Sequence, residues 1–118
     1  MNNIKKEIEE SILVKQKIIN NEKLLKQIEE VAEACLKSLK GCGKIILAGN
    51  GGSFADAQHI SAEFTSRYMV DRDSLASICL GTNNSAMSAI GNDYGFDKVF
   101  SRELSSIGNS KDIFLAIS

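Results

Sequence analysis

The sequence predicts an α/β fold in which helices cover a central parallel sheet, and three observations support this. Short apolar runs suited to buried strands alternate with longer stretches of helical periodicity. Glycine-rich or polar segments separate the strand-like runs from the helical stretches. The 118 residues contain no proline and no internal repeat. The alternation of predicted strands and helices therefore continues along the sequence without a break. Strands that alternate with helices pair in parallel through right-handed crossovers.

Residues 4–40 predict two helices. Apolar residues recur at spacings of three and four, and Asn20-Asn21 interrupts the pattern. The first helix carries only a thin apolar stripe and needs a surface to lie on. Its own domain and a neighbouring subunit are both candidates for that surface. The Gly-Cys-Gly segment 41–43 then predicts the end of the second helix.

Three apolar runs predict buried strands, namely 44–48 (KIILA), 75–80 (LASICL) and 112–118 (DIFLAIS). Helices are predicted between them, at 53–68, at 86–91 behind a cap from Asn83-Asn84-Ser85, and at 96–104. The sequence stops at the carboxyl end of the third strand, where ligand loops in open α/β sheets begin. We therefore expect a fragment of a longer chain.

Composition and charge argue against several classes of protein. The chain has 14 basic and 15 acidic residues, so no basic surface for nucleic acid is predicted. The N-terminus lacks the apolar segment of a signal peptide, and no run is as long as a membrane span. Cys35, Cys42 and Cys79 are too widely spaced for a zinc motif and predict a reducing compartment. We expect a cytoplasmic protein with no nucleic-acid and no membrane partner.

A glycine-rich loop, Gly49–Ser53, lies between the first predicted strand and the next helix. Glycine allows positive φ angles and close backbone approach to a ligand. Ser53 is placed to cap the helix, and the free amides of the first turn suit a phosphate. The loop lacks the lysine of the Walker A motif and the spacing of the dinucleotide fingerprint. A tight turn without a ligand explains the loop equally well, so both interpretations stay open at this point.

The only histidine of the chain lies on the helix behind this loop. Asp56, His59 and Glu63 fall on one helical face. A histidine and a glutamate four residues apart can ligate one divalent metal, or the carboxylate can act as a general base. An ordinary hydrogen-bonded pair is the alternative. The position directly behind the glycine loop favours the functional interpretation.

Two other charged residues each allow two interpretations. Arg67 suits a substrate anion or an ion pair with Asp71 or Asp73, and the ion pair is the simpler prediction. Asp93 lies in the turn-rich segment 91–96, where its carboxylate suits either sugar hydroxyls or a helix cap.

Two segments together resemble the sedoheptulose 7-phosphate isomerase (phosphoheptose isomerase) family of the SIS, or sugar isomerase, domain fold. They are GNGGSFADAQHISAEFTSRY at Gly49–Tyr68 and SAIGNDYGFDKVFSREL at Ser88–Leu104. The resemblance extends over essentially the whole chain. It implies the N-terminal part of a single SIS domain over residues 1–118, with a three-layer fold. It also implies a homotetramer in which residues 1–40 form a helical oligomerisation region.

The resemblance implies a phosphosugar aldose–ketose isomerase. Such an enzyme converts sedoheptulose 7-phosphate to D-glycero-D-manno-heptose 7-phosphate, for the heptoses of bacterial lipopolysaccharide or capsule. The implied substrate contacts are Asn50, Gly51, Gly52, Ser53, Asp93 and Ser118, with the phosphate at Ser53. His59 and Glu63 match zinc ligands, and Glu63 also matches the catalytic base.

The family pattern also contains groups that these residues lack. The remaining zinc ligands are a glutamine and a histidine on a C-terminal helix, and that histidine is the catalytic acid. Most of a second phosphate loop is also missing, so we expect the 118 residues alone to be inactive. The alternative function is a non-catalytic SIS-domain binding protein, such as a DnaA initiator-associating protein. That protein lacks the carboxylate at the position of Glu63, so Glu63 favours an enzyme.

Overall fold

The computed structural model describes residues 2–118, with side chains from Asn3 onward. The predicted domain 1–118 thus includes Met1, which lies outside the described residues. The chain divides into two compact units, one ending at Ala34 and the other spanning Cys35–Ser118. No helix in the described part of the chain is long and apolar enough to cross a membrane.

The first unit consists of helix α1 (Asn2–Ile19) and most of helix α2 (Glu22–Lys40). The predicted break at Asn20-Asn21 is confirmed, and the side-chain oxygen of Asn21 accepts the amide of Leu24 at 3.0 Å as a cap for α2. Every side chain from position 3 to position 19 is exposed, including the apolar stripe of α1. That stripe comprises Ile4, Ile8 and Ile12, spaced four residues apart.

The second unit is built on a three-stranded parallel sheet with strand order β2-β1-β3. The strands are β1 (Ile45–Gly49), β2 (Ser77–Cys79) and β3 (Ile113–Ile117). All five residues of β1 are buried, because β1 is central and both of its faces are covered. The three predicted strands are confirmed, although β2 is shorter than predicted because only three of its residues pair with β1.

Helices cover the two faces of the sheet. Helix α3 (Gly52–Thr65) and the end of α2 pack on the face that carries Ile45, Leu47 and Cys79. Helix α5 (Val99–Ile107) packs through Phe100, Leu104 and Ile107 on the face that carries Ile46, Ala48 and Leu80. The predicted α/β fold, with a parallel sheet flanked by helices, is confirmed.

Helix boundaries differ from the predictions in three places. Helix α3 ends at Thr65 instead of continuing to Tyr68, which pairs with Val70 in an isolated bridge. Helix α4 (Asn84–Tyr94) runs past the predicted end at residue 91, until Gly95 with φ 92° ends it. A short 3-10 turn over 96–98 precedes α5. The predicted cap of α4 is confirmed, since the side-chain oxygen of Asn83 accepts the amide of Ala86 at 3.1 Å.

A partly buried ion pair joins the amino ends of β1 and β3. Lys44 Nζ donates to Asp112 Oδ2 at 2.6 Å, and the backbone amide of Lys44 donates to Asp112 Oδ1 at 2.9 Å. The amide of Asn109 donates to the same carboxylate at 2.8 Å. The Asp112 side chain is 4% exposed, so its charge depends on these partners.

Candidate functional site

The first part of the candidate site, the glycine loop, lies at the carboxyl ends of the strands. The chain passes from β1 to β2 on one side and later returns to β3 on the other, so the strand order changes direction at β1. Open α/β sheets bind ligands at such a switch point. Gly49 pairs with Ile117, which places Ser118 beside the beginning of the glycine loop.

The three glycines of the loop differ in whether the structure requires a glycine at their position. A Cβ on Gly49 would lie 2.5 Å from the carbonyl oxygen of Ser53, so this glycine allows the first turn of α3 to approach β1. Gly51 has φ +59°, which favours glycine. A Cβ on Gly52 would meet open space. Gly52 is therefore needed neither for packing nor for a positive φ, and the space above it is free for a ligand.

The start of α3 differs from the prediction. Gly51, and not Ser53, occupies the cap position, and no side chain caps the helix. Ser53 is the second helical residue, and its amide donates to the carbonyl of Asn50 at 3.1 Å. The prediction that Ser53 caps α3 is therefore wrong.

The amides of Gly51 and Gly52 make no hydrogen bond within residues 2–118. Asn50, Gly51 and Gly52 are exposed, and Ser53 is half-buried beside them. Free amides at a helix start carry partial positive charge and bind anions. The loop thus combines two unused donors, a serine hydroxyl and open space above Gly52.

His59 and Glu63 meet on the exposed face of α3. His59 Nε2 lies 3.0 Å from Glu63 Oε1. An ionised carboxylate only accepts hydrogen bonds, so Nε2 carries the proton in this contact. The imidazole is 77% exposed and the carboxylate 36%, which leaves both accessible to a ligand. Asp56, on the same helix, is exposed and joins no hydrogen bond among the residues described.

A cavity of about 410 Å³ opens beside this pair. Its lining is formed by His59, Ile60, Glu63, Phe64, Tyr68 and Arg72. An apolar floor with a few polar groups at its edge is typical of small-molecule sites. Sequence patterns do not predict that Arg72 lines this cavity. Arg72 lies beyond the end of α3 in the sequence and contacts the helix only in the folded chain.

His59 and Glu63 fit part of a zinc site. An imidazole nitrogen and a carboxylate oxygen are both zinc donors, and here they are already close together. No group of three or more histidine, cysteine, aspartate or glutamate side chains suited to a metal occurs in residues 2–118. Metal binding at Nε2 would replace its proton and hence the hydrogen bond to Glu63. The pair therefore suits two ligands of a site that needs further donors.

The remaining predicted residues make no hydrogen bond with this pair in the described part of the chain. Asp93 is exposed on the last turn of α4, not in a loop, and its Oδ1 accepts Asn92 Nδ2 at 3.0 Å. Ser118 is exposed directly after β3. Arg67 is exposed and forms no ion pair with Asp71 or Asp73 in the described structure, so the simpler prediction for Arg67 is wrong.

Comparison with known proteins adds a family match. The sequence profile of the SIS domain family matches residues 9–118. The phosphoheptose isomerase of Sulfurimonas denitrificans is 53% identical over 98% of this chain and 59% of its own length. The phosphoheptose isomerase of Aneurinibacillus thermoaerophilus is 50% identical over 98% of this chain and 58% of its own length.

Solved structures are similar over the whole chain. The phosphoheptose isomerase GmhA of Neisseria gonorrhoeae matches with a TM-score of 0.87 and 41% identity, covering 99% of this chain and 60% of that one. A phosphoheptose isomerase of Francisella tularensis matches with a TM-score of 0.90 and 32% identity, with the same coverage of 99% and 60%. The chain thus spans about 60% of the length of these relatives.

Proposed function

This chain belongs to the SIS domain family, and we propose that its protein is a phosphosugar aldose–ketose isomerase. The proposed reaction interconverts sedoheptulose 7-phosphate and D-glycero-D-manno-heptose 7-phosphate. One observation carries the proposal, namely a loop with free amides followed on the same helix by the His59–Glu63 pair. The phosphoheptose isomerases that match at 50% and 53% identity support the choice of substrate.

The glycine loop binds the phosphate in this proposal. The amides of Gly51 and Gly52 and the hydroxyl of Ser53 donate to the phosphate oxygens, and the dipole of α3 favours their charge. The open space above Gly52 supports this role, because an anion needs room there. Asn50 lies at the start of the loop and Ser118 beside it, and both are proposed as further substrate contacts.

Glu63 moves the proton in this proposal. Isomerisation removes a proton from one carbon of the sugar and returns it to the adjacent carbon through a cis-enediolate. Glu63 lies ten residues beyond Ser53 on α3, about 15 Å along the helix axis by its rise per residue. A seven-carbon chain anchored at the loop extends along this helix toward the carboxylate. Asp93 is proposed to hold sugar hydroxyls, since its carboxylate is exposed.

We propose Zn²⁺ as the cofactor, with His59 and Glu63 as two of its ligands. When bound, Zn²⁺ would polarise a substrate oxygen and so stabilise the negative charge that develops there. A carboxylate that ligates a metal is a weaker base, so Glu63 needs one oxygen free for the proton. The measured zinc content of the purified protein tests this proposal, and a metal-free protein with full turnover would refute it.

The N-terminal helices support a proposal about assembly. We propose a homotetramer in which the apolar stripe of α1, formed by Ile4, Ile8 and Ile12, packs against other subunits. A continuous exposed stripe of this kind is typical of a helix with a packing partner. A cytoplasmic location and a role in lipopolysaccharide or capsule synthesis complete the proposal. The mass of the protein in solution tests the assembly, and a monomer would contradict it.

Replacing Glu63 tests the function most directly. Glu63→Gln keeps the shape and the contact with His59 but removes the base, so we expect kcat to fall by about a thousandfold. The thermal unfolding temperature stays unchanged because the side chain is on the surface. Turnover is measured on the natural protein with sedoheptulose 7-phosphate.

Asp97→Asn provides a matched control, because Asp97 is an exposed carboxylate whose ion-pair partner in the described residues is Lys98. Its turnover is expected to equal that of the natural protein. Full activity of Glu63→Gln would exclude Glu63 as the base. A natural protein that binds the phosphosugar without converting it would instead favour a binding protein of the same fold.

A further inference from the structure

An arginine from outside the helix donates hydrogen bonds to backbone carbonyls at the carboxyl end of α3. Arg72 Nη2 donates to the carbonyl of Glu63 at 2.7 Å, and Nη1 donates to the carbonyl of Phe64 at 3.0 Å. Nη1 also donates to the carbonyl of Asp73 at 2.9 Å, which fixes the guanidinium to its own segment. The backbone of the proposed base is thus held by a side chain that lines the same cavity.

The last carbonyls of a helix have no partner inside the helix and must find one elsewhere. In α3, the carbonyl of Ala62 accepts the amide of Ser66 at 2.8 Å, and that of Phe64 also accepts the amide of Leu75 at 3.0 Å. For the carbonyl of Glu63, Arg72 is the partner from outside the helix found in the described chain. Losing Arg72 therefore affects Glu63 more than its neighbours.

The end of α3 is weak without this arginine. No glycine ends the helix, and the C-cap residue Ser66 has φ −92° and ψ −110°. Thr65 is a poor helix former, and its hydroxyl bonds back to the carbonyls of Ser61 and Ala62 at 3.3 Å. Glu63 lies only two residues before this end. Helix ends without caps open locally, so the backbone of Glu63 needs external support.

The planar guanidinium suits this support better than an ammonium group. Its nitrogens form a rigid fork that reaches two adjacent carbonyls at once, whereas lysine offers one flexible point charge. Its positive charge also interacts favourably with the negative end of the helix dipole. An Arg72→Lys variant therefore keeps the charge but loses the fixed geometry.

We propose that Arg72 is a positioning residue for the carboxylate of Glu63. Its hydrogen bonds to the carbonyls of Glu63 and Phe64 fix the last turn of α3, and through it the contact between Glu63 and His59. The catalytic consequence rests on the proposed function, in which Glu63 is the base. The consequence for the Glu63–His59 contact does not.

The kinetic test compares Arg72→Ala, Arg72→Lys and the control Lys111→Ala in the natural protein. Lys111 is exposed, lies two residues before β3 and does not line the cavity. We expect kcat to fall about a hundredfold for Arg72→Ala and about tenfold for Arg72→Lys, because misplacing a reacting group by an ångström has effects of this order. KM changes by less than about threefold, because the phosphate is bound at the other end of α3.

Added guanidinium ion distinguishes positioning from general stability. At millimolar concentration it is expected to raise the kcat of Arg72→Ala at least about tenfold, by donating to the same carbonyls. It should leave Lys111→Ala unchanged. A fall in kcat for Arg72→Ala that guanidinium does not reverse, or equal kcat values for Arg72→Lys and the natural protein, would overturn the kinetic consequence.

A second measurement does not depend on turnover. His59 is the only histidine of these 118 residues, and comparison with a His59→Gln variant assigns its imidazole nuclear magnetic resonance signals in the ¹⁵N-labelled natural protein. After EDTA treatment, we expect Nε2 to be the protonated nitrogen, and both Arg72 variants to shift toward a mixture of tautomers.

If the His59 imidazole has the same tautomer in the natural protein and in Arg72→Lys, the inference is overturned. This comparison remains possible even if Arg72→Ala does not fold. A natural protein without turnover refutes the proposed function alone, because the imidazole signals still decide the role of Arg72.

Discussion

The two ends of the parallel sheet differ in how their polar groups are paired. The amino edge is the end at which the strands begin, and the carboxyl edge is the end at which they finish. At the amino edge, Asp112 takes hydrogen bonds from Lys44 and from Asn109, and its carboxylate is buried. At the carboxyl edge, the amides of Gly51 and Gly52 make no hydrogen bond in the part of the chain that the structure describes. The amino edge thus pairs its charged groups with one another, whereas the glycine loop at the carboxyl edge keeps two donors free.

This difference separates stability from binding. Polar groups that satisfy one another contribute to the free energy of unfolding, whereas free groups on the surface are available to a ligand. Variants at the amino edge should therefore change stability and leave the catalytic constants unchanged. Variants that block the free donors of the glycine loop should instead change substrate binding and leave stability nearly unchanged.

The largest effect is expected for Asp112→Ala. The change removes three hydrogen bonds and leaves Lys44 without its partner, so we expect the free energy of unfolding to fall by about 3 kcal/mol. Urea unfolding measures this loss, and KM for the phosphosugar should stay unchanged under conditions where the variant is folded. A stable variant with weaker substrate binding would break the separation between the two edges.

A second prediction contrasts two glycines of one loop. Gly52→Ala places a Cβ in the open space proposed for the phosphate, so we expect KM to rise about tenfold while stability changes by less than about 0.5 kcal/mol. Gly49→Ala forces a Cβ against the backbone of Ser53 and should lower the free energy of unfolding by about 2 kcal/mol. Kinetics and thermal unfolding of both variants provide the comparison. An unchanged KM for Gly52→Ala would remove the phosphate from this position.

The smallest effect is a dependence of stability on pH at the amino edge. Burial alone raises the pKa of Asp112, but hydrogen bonds from Lys44 and Asn109 and the charge of Lys44 together hold the pKa below its ordinary value. A lowered pKa in the folded protein means that the stabilisation is complete above the unfolded pKa of about 3.9 and is lost as the pH falls through the folded pKa.

The stability difference between the natural protein and Asp112→Ala should therefore be constant from pH 7 to about pH 5 and decrease below about pH 4. Urea unfolding at a series of pH values measures it. A difference that stays constant down to about pH 2.5 would show that the charge of Asp112 contributes nothing.

The fold was predictable because its signals are local. Short apolar runs bounded by glycine or polar residues indicated β1, β2 and β3, and the register of a parallel sheet then brings their carboxyl ends together. The contact between His59 and Glu63 was also predictable, since residues four apart on a helix are neighbours. The roles of His59 and Glu63 as zinc ligands, and of Glu63 as base, stay predictions.

Other features depend on contacts between distant segments. Sequence patterns predict that a glycine ends α2. In the structure, the residue with a positive φ after α2 is instead Cys42, at 62°. Gly43 is required for another reason, because a Cβ there would lie 2.4 Å from the carbonyl oxygen of Lys111. Arg72 and Asp112 likewise acquire their partners only when the chain folds. A single sequence carries no sign of such pairings.

The cysteines have a practical consequence. Burial raises the pKa of the Cys35 thiol, and burial together with the charge of Glu103 raises the pKa of the Cys79 thiol, so both hold less of the reactive thiolate. Cys42 is exposed and precedes β1, at the end of the sheet opposite the glycine loop. The length of β1 puts roughly 16 Å between the two ends. Among the described residues, a maleimide dye or a surface tether at Cys42 would therefore attach at one defined point, away from the glycine loop.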